Sequence, residues 1–434
     1  MKTLVKVLII NLPFIIIVSL PFSCEDRFVE SYKANVPVYM SYEALRTSVN
    51  QDEPFQLNNP GKLYFKDNYI FINENQEGVH VIDNSDPSDP INVTFINIPG
   101  NVDISIKDNI LYADSYVDLV AIDISNLEDI TEVDRMEDVF PYVIPYYDVA
   151  YQIENVDEQK GIVVDWKVKE VEKTVDYNQP RYPVYPRYDY MGSLESMSPV
   201  KMNSSGSGGT SSFGIGGSMA RFTIAENTLY ALHQNSLKIF DITSPTNMLN
   251  NGDKAIGWGM ETIFPYNDHL FIGTQTGMLI YNISTPTNPI HVSTFNHIRS
   301  CDPVVVDEEY AYVTLRDGNN CGETVNQLDV VNIKNYNNPF LVKSYPMTNP
   351  HGLGIDDKIL FICDGDAGLK IYNATDPKKI KENHLITFSD LNTYDVIPVN
   401  DILLMIGGDG FYQYDYSDIY DISLLSHIPV LREE

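Results

Sequence analysis

The stretch Gly78-Val79-His80-Val81-Ile82-Asp83, followed by Asn84-Ser85-Asp86-Pro87, decides the fold of this 434-residue chain. Its alternating side chains predict a β-strand, and the Asp, Ser and Pro that follow predict a turn. Asp and Ser oxygens accept bonds from nearby backbone N–H groups, and Pro cannot continue a strand. The combination recurs along the chain, and we call the residue that ends each strand an anchor: Asp83, Asp123, Asp165, Asp241, Asn282, Asn332, Asn373 and Asp415.

A second pattern precedes each anchor and predicts a β-hairpin. In the first repeat, residues 63–72 are two apolar runs around the polar pair Asp67-Asn68. Each repeat therefore predicts four antiparallel strands, A to D, with the anchor at the end of strand C. Most anchors are 40 to 42 residues apart, which is typical of a β-propeller. We expect an all-β propeller with eight four-stranded blades, or seven if the irregular repeat that ends at Asp165 is not a full blade.

The repeats resemble a known family. Gly78–Asp83, Asp118–Asp123 and residues 368–373 resemble the LVIVD repeat of bacterial surface and secreted β-propellers. Residues 300–304, 311–316, 326–330 and 361–365 look like members known mainly from Bacteroidetes lipoproteins. The resemblance covers roughly residues 36–430 and implies the propeller fold. It implies no reaction, because the family has no established one.

The N-terminus predicts export and a lipid anchor. Lys2 and Lys6 precede the apolar residues 7–20, so residues 1–24 have the pattern of a secretory signal peptide. Ser23 before Cys24 predicts lipoprotein cleavage before Cys24 and acylation of its thiol, although Pro21 stands where such sites prefer Leu. We expect a protein anchored in the outer membrane, facing the periplasm or the cell surface. Plain secretion and an uncleaved anchor are the alternatives.

The amino-acid composition restricts the classes of partner that the protein is expected to bind. The chain has 60 Asp and Glu against 29 Lys and Arg, a net charge of −31, which repels phosphate backbones and anionic lipids. We therefore expect no nucleic-acid partner and no membrane contact except through the N-terminal lipid. A protein or glycan partner and a monomeric state are expected.

The domain organisation follows from the repeats. Residues 59–430 form one propeller domain, and residues 25–58 form a tether whose segment 36–41 could close the ring beside residues 424–430. Residues 173–218 interrupt the repeats with a Tyr/Pro-rich tract and then a Gly/Ser-rich tract, which predicts a flexible insertion. A lid or a partner-binding loop is the alternative interpretation of this insertion.

The remaining cysteines lie near one face. We call the face formed by the loops before strands A and between strands B and C the upper face. Cys301 precedes a strand A and Cys321 lies in the following B–C loop, so an exported protein is expected to join them in a disulfide. Cys363 is either a buried thiol or the alternative partner.

The upper face also collects the densest group of polar residues in the sequence. Asn73, Glu74, Asn101 and Asp317 belong to this group together with six candidate ligand-binding residues: Asp103, Asp302, Arg316, His351, Asp364 and Asp366. One interpretation is a set of ion pairs and loop caps. The other is a ligand or cation pocket near the propeller axis. Carboxylates are ligands of Ca²⁺, so Ca²⁺ is possible, whereas no other metal or cofactor motif is identified.

Enzyme motifs are absent from the sequence. It contains no Gly-x-Ser-x-Gly, no phosphate-binding Gly-rich loop and no His-Glu-x-x-His, so no catalytic residue can be assigned. The predicted function is a surface-anchored binding or interaction module. The alternative is a hydrolase or lyase with an active site around His351, Asp302 and Arg316.

Overall fold

Strands make up nearly all of the regular structure. The computed structural model describes residues 27–176, 214–233, 235–297, 303–316 and 325–431. Within these ranges the helical elements are one turn of α-helix, α1 (Tyr42–Leu45), and one 3₁₀ turn, Glu158–Lys160. No helix in the described ranges is long and apolar enough to cross a bilayer.

Seven sheets of four or more strands follow one another along these ranges, and we number them as blades 1 to 7. Blade 1 contains β2 (Asn50–Asp52), β3 (Pro60–Lys66), β4 (Tyr69–Glu74), β5 (Gly78–Asp83), β6 (Ile91–Asn97) and, from a later part of the chain, β13 (Ile215–Gly216). Blade 2 contains β7 (Ile104–Lys107), β8 (Ile110–Ser115), β9 (Asp118–Asp123) and β10 (Thr131–Met136). Blade 3 contains β14 (Phe222–Ala225), β15 (Thr228–His233), β16 (Ser236–Asp241) and β17 (Leu249–Ala255).

The other four blades are each built from four consecutive strands. Blade 4 contains β18 (Met260–Tyr266), β19 (His269–Thr274), β20 (Gly277–Asn282) and β21 (Ile290–Asn296). Blade 5 contains β22 (Val304–Asp307), β23 (Tyr310–Leu315), β24 (Gln327–Asn332) and β25 (Phe340–Pro346). Blade 6 contains β26 (Leu353–Asp356), β27 (Ile359–Cys363), β28 (Leu369–Asn373) and β29 (His384–Phe388), and blade 7 contains β30 (Thr393–Val399), β31 (Ile402–Gly407), β32 (Gly410–Asp415) and β33 (Ser423–Pro429).

The blades close into a ring. The first repeat strand of each blade contacts that of the next blade, and β3 of blade 1 contacts β30 of blade 7. Buried apolar side chains fill the spaces between neighbouring sheets, such as Ile72 of blade 1 against Leu404 of blade 7. The prediction of an all-β propeller is confirmed. The count of eight blades is not, because the described residues form seven such sheets.

The anchors explain why the repeats fold alike. Asp83 Oδ1 accepts bonds from Ser85 N at 2.9 Å and Ser85 Oγ at 2.6 Å, and the first of these bonds gives the Ser85 N–H a partner outside the sheet. Hydrogen bonds from Ser85 also lower the pKa of the Asp83 carboxyl. The same bond to the residue two positions later forms at the other anchors that end a strand C: Asp123, Asp241, Asn282, Asn332, Asn373 and Asp415.

The third repeat does not form a blade. Its anchor, Asp165, lies inside the long strand β12 (Ile162–Asp176), which pairs antiparallel with β1 (Arg27–Met40). The two-residue strand β11 (Gln152–Ile153) adds to the other edge of β1, and we call this three-stranded sheet the ribbon. Lys167 and Lys169 stand where the first repeat has Ser85 and Pro87, so no proline stops the strand after Asp165.

The ribbon also overturns the predicted ring closure. Residues 36–40 belong to β1 and pair with β12, whereas β33 pairs with β32 of its own blade. Blades 1 and 7 are instead joined by hydrogen bonds between their outer parts. Gln413 Nε2 donates to Asn84 Oδ1 at 2.7 Å, and Leu431 N donates to Leu57 O at 2.6 Å.

A short segment fills the channel of the ring. Residues 214–221, which we call the plug, are buried and contact the axis-lining strands of several blades. Strand β13 pairs with β3 of blade 1, and Gly214 N donates to Ile106 O of blade 2 at 2.8 Å. Ile263 N of blade 4 donates to Ala220 O at 2.9 Å, and Leu353 N of blade 6 donates to Ser218 Oγ at 2.7 Å.

The prediction of a flexible insertion over residues 173–218 is wrong for both ends of that segment, which the structure describes. Residues 173–176 continue β12, and residues 214–218 are packed in the channel. Residues 177–213 lie outside the described ranges.

Candidate functional site

Four charged side chains lie at the upper end of the channel, at the same position in four blades. Each stands four residues before the last residue of its strand A, and each is at most 6% exposed: Lys62, Asp103, Arg221 and Asp395. These blades are neighbours in the ring, so the four groups share one low-dielectric region. Burying a charge is costly unless it is paired, and the partners of each group therefore decide its role.

Lys62 and Asp103 form a buried pair. Lys62 Nζ lies 2.7 Å from Asp103 Oδ2, and Ile104 N donates to Asp103 Oδ1 at 2.8 Å. The backbone N–H groups of Arg221 and Phe222 also donate to Oδ2. Burial lowers the pKa of Lys62, and the charge of Asp103 opposes that shift. Asp103 is therefore fully bonded within the protein.

Asp114 of blade 2 is bonded in the same way. Its Oδ1 accepts from Val102 N at 2.8 Å, from Asp103 N at 2.9 Å and from Asn101 Nδ2 at 2.9 Å. Burial raises the pKa of this carboxyl to about 6, although the two backbone bonds lower it. As with Asp103, the donors to this carboxylate belong to the protein itself, here to the loop before β7.

Arg221 differs from these groups. Its side chain is only 6% exposed, yet no hydrogen bond or ion pair reaches its guanidinium from the described residues, and its Nε is fully buried without a partner. Burial lowers its pKa, and the charges of Asp103, Asp114 and Glu261 oppose the shift. Arg221 is therefore a buried cation whose donors are unused.

A pocket opens beside Arg221 on the upper face, with about 460 Å³ of empty volume including its mouth. The aromatic ring of Phe140 stands against Phe222 at 5.8 Å and against His233 at 6.0 Å, between ring centres. Burial, and then the charge of Arg221, lowers the pKa of His233 to about 3, so its imidazole is neutral. We call this site the Arg221 pocket, and its walls are Gly100, Val102, Asp103, Asp114, Tyr116, Phe140, Val143, Arg221, Phe222, Leu232 and His233.

The ribbon region completes this pocket. Phe140 and Val143 come from the segment between blade 2 and β12, and Phe140 N donates to Val117 O at 2.8 Å. Leu45 of α1 packs with Val117 and Ile162 on the same side. The irregular third repeat thus supplies a pocket wall instead of a blade.

The sequence-predicted cluster is divided among separate contacts. Arg316 Nη1 lies 3.1 Å from His351 Nδ1, and burial followed by the charge of Arg316 lowers the pKa of His351 to about 3. Asp364 accepts from Thr348 N at 3.0 Å and Asn349 N at 2.7 Å and pairs with Lys370, so it is a loop cap. Asp366 is exposed and accepts from Asn392.

Of the six predicted ligand-binding residues, Asp103 is among the residues that line the Arg221 pocket. Asn73 Nδ2 donates to Asn101 Oδ1 at 2.7 Å, and Glu74 lies 3.1 Å from His80, so the polar residues of blade 1 bond to one another.

Some of the predicted cysteines and metal ligands lie within the described ranges, and others lie outside them. Cys363 is a free, buried thiol, and burial raises its pKa. Cys24, Cys301, Asp302, Asp317 and Cys321 lie outside the described residues. Among the residues that are described, no three His, Cys, Asp or Glu side chains are grouped so as to hold a metal ion.

Sequence reasoning missed most residues of this site, namely Lys62, Asp114, Phe140, Arg221, His233 and Asp395. A signal was present for some of them. Aligning the ends of the A strands, at the A–B turns, places Lys62, Arg221 and Asp395 at the position of Asp103. Phe140 carries no such signal, because its position depends on the ribbon.

Comparison with known proteins adds a repeat assignment. The LVIVD repeat model matches residues 62–97 and 100–138, in blades 1 and 2. No curated protein matches the chain. The predicted resemblance to the LVIVD repeat is therefore confirmed for these residues, and the Bacteroidetes lipoprotein type stays a prediction.

Three solved structures match most of the chain at low sequence identity. The computationally designed Ika8 protein is 10% identical, with a TM-score of 0.49 over 86% of this chain and 88% of that chain. Saccharomyces cerevisiae Sqt1 is 7% identical, with a TM-score of 0.49 over 90% of this chain and 89% of that chain. BamB from Moraxella catarrhalis is 8% identical, with a TM-score of 0.45 over 80% of each chain.

Proposed function

We propose that this protein is a lipid-anchored interaction module that binds a protein partner on its upper face. The observation that carries the proposal is the Arg221 pocket, in which a buried guanidinium has no hydrogen-bond partner among the described residues. A buried polar group without a partner costs free energy, and a bound partner would remove that cost.

The histidines of the upper face argue against base catalysis by an imidazole there. Asp103 and Asp114 are held by backbone N–H groups, and His233 is neutral with a pKa of about 3. A general base works best with a pKa near the working pH, so His233 is a poor base. The same argument applies to His351 in the hydrolase or lyase alternative, whose remaining carboxylate, Asp302, lies outside the described residues.

The ribbon supports the proposed anchoring. Cys24 stands three residues before Arg27, where β1 begins, and three residues span at most about 10 Å. The 14 residues of β1 rise by roughly 45 Å in total. Val29, Ser31 and Lys33, towards the N-terminal end of β1, are exposed, whereas Ala34 and Asn35 are buried. β1 would therefore serve as a spacer between an acylated Cys24 and the upper face, where Leu45 of α1 packs with Val117.

Site-specific photo-crosslinking tests the proposed function. A photoreactive phenylalanine analogue in place of Tyr116, at the pocket wall, should form a covalent adduct with one partner in cells that make the protein. Tyr420 is 83% exposed in the C–D loop of blade 7, on the opposite face, and serves as the matched control position. Absence of an adduct at position 116, or the same adducts at both positions, would contradict a partner on the upper face.

A further inference from the structure

The chemistry of the Arg221 pocket restricts what it can bind. A guanidinium has five N–H donors in a planar fork and no acceptor. The nearest carboxylates form no bond with this fork: Asp103 Oδ2 bonds to Lys62 and to two backbone N–H groups, Asp114 Oδ1 accepts three other bonds, and Glu261 acts on Arg221 through its charge. A group that completes the fork would therefore come from outside the described residues and would supply acceptors.

The pocket favours a hydrogen-bond acceptor with an apolar body. Lys62 Nζ lies 2.7 Å from Asp103 Oδ2 and offsets its charge, and Arg221 carries the unpaired N–H donors of the lining. Phe140, Phe222 and Leu232 give the walls an apolar surface. The part of this space that water-sized groups can occupy is about 30 Å³, which is room for roughly two such groups. It suits the two oxygens of one planar acceptor group, with the apolar part of the ligand at the mouth of the pocket.

We infer that the Arg221 pocket binds a carboxylate group of the partner, with the apolar part of that residue against the aromatic walls. This inference rests on the proposed function, because the carboxylate is carried by the bound protein. A carboxylate offers two coplanar acceptors that match two N–H donors of a guanidinium, which is the strongest common pairing for this group. His233 Nδ1 is buried without a partner in the described structure and faces the same pocket.

Two sources supply such a group, namely the C-terminus of a chain and an Asp or Glu side chain. N-acetyl-phenylalanine presents a terminal carboxylate beside an apolar ring. N-acetyl-glutamate N-methylamide presents the carboxylate on a side chain. N-acetyl-phenylalaninamide has the shape of the first probe without its charge.

The test measures calorimetric affinity of the full mature protein for these three probes. At least one acid should bind at least tenfold more tightly than the neutral amide, and the better acid identifies the source. Arg221→Met should abolish this preference. Lys334→Met removes one positive charge from the opposite face and should leave the affinities unchanged. Thermal melting checks that each variant is folded.

Equal binding of acid and amide, or a preference that survives Arg221→Met, would overturn the inference. The comparison of acid with amide uses the unaltered protein, so it decides the question even if Arg221→Met does not fold. A positive crosslink at position 116 with no binding of either acid would refute the carboxylate and leave the proposed function standing. No crosslink and no acid binding would refute both.

Discussion

Replacing Asp395 by Asn should stabilise the propeller at alkaline pH and change its stability little at pH 4. Asp395 is fully buried in β30, where its Oδ1 accepts from Ser218 Oγ at 3.0 Å and from Ser218 N at 3.3 Å. Its Oδ2 has no hydrogen-bond partner among the described residues. An amide oxygen can accept the same two bonds, and Asn carries no charge to bury.

The magnitude follows from proton linkage. Burial raises the pKa of Asp395 to about 8, whereas an unfolded Asp titrates near 3.9, so the folded protein holds a proton that the unfolded chain releases. The contribution of this group to stability is therefore complete below pH 4, declines as pH rises, and is lost above pH 8. Four pKa units correspond to an upper limit on the order of 5 kcal/mol.

Urea unfolding of both proteins between pH 4 and pH 9 measures the effect. The free energy of unfolding of Asp395→Asn should exceed that of the unaltered protein by an amount that grows with pH. Asp83→Asn is the control, because Asn serves as the anchor at positions 282, 332 and 373 and Asp83 is only partly buried on its turn. A pH-independent difference for Asp395→Asn would show that this carboxyl is not held protonated.

Three further experiments test the packing around the plug, the lipid on Cys24 and the pairing of the other cysteines. Gly352→Ala should lower the free energy of unfolding by about 1 to 3 kcal/mol, because its Cβ would lie 2.0 Å from Asp395 Oδ1. Gly408→Ala is the control. The nearest atom to its Cβ would be 3.6 Å away, so it should lower the free energy of unfolding less in the same urea assay. Cys24→Ala should move the protein from the membrane to the soluble fraction, and unchanged membrane binding would contradict acylation. Thiol labelling without reductant should find one reactive thiol in the denatured mature protein and none in the native protein, and labelling of more than one would exclude a bridge within the set Cys301, Cys321 and Cys363.

The fold was largely predictable from local chemistry. An anchor turn uses only its own Asp or Asn and the backbone N–H two positions later, so the turn after Asp83 recurs at the six other anchors that end a strand C. The third repeat shows the limit of this reasoning. Its strand matched the apolar pattern, but no turn followed Asp165, and the strand continued to Asp176 because β1 was available as a partner. That choice depends on a segment about 130 residues earlier in the chain.

The site was less predictable, because it depends on which residues of different blades meet. Asp103 was identified from its place before a strand A, and it does line the pocket. Arg221 escaped notice because it follows a Gly/Ser-rich tract that predicts no packed structure. Its lack of a partner is a property of the folded chain, since it follows from the bonds that Asp103 and Asp114 make with their own loops.

A crystal structure of the mature protein grown with N-acetyl-phenylalanine and, separately, with N-acetyl-glutamate N-methylamide tests the central claim most directly. We expect the carboxylate of one probe to lie about 3 Å from two guanidinium nitrogens of Arg221, with its carbon atoms against Phe140 and Phe222. An Arg221 side chain bonded to a carboxylate of its own chain, with the pocket closed and neither probe bound, would contradict the account.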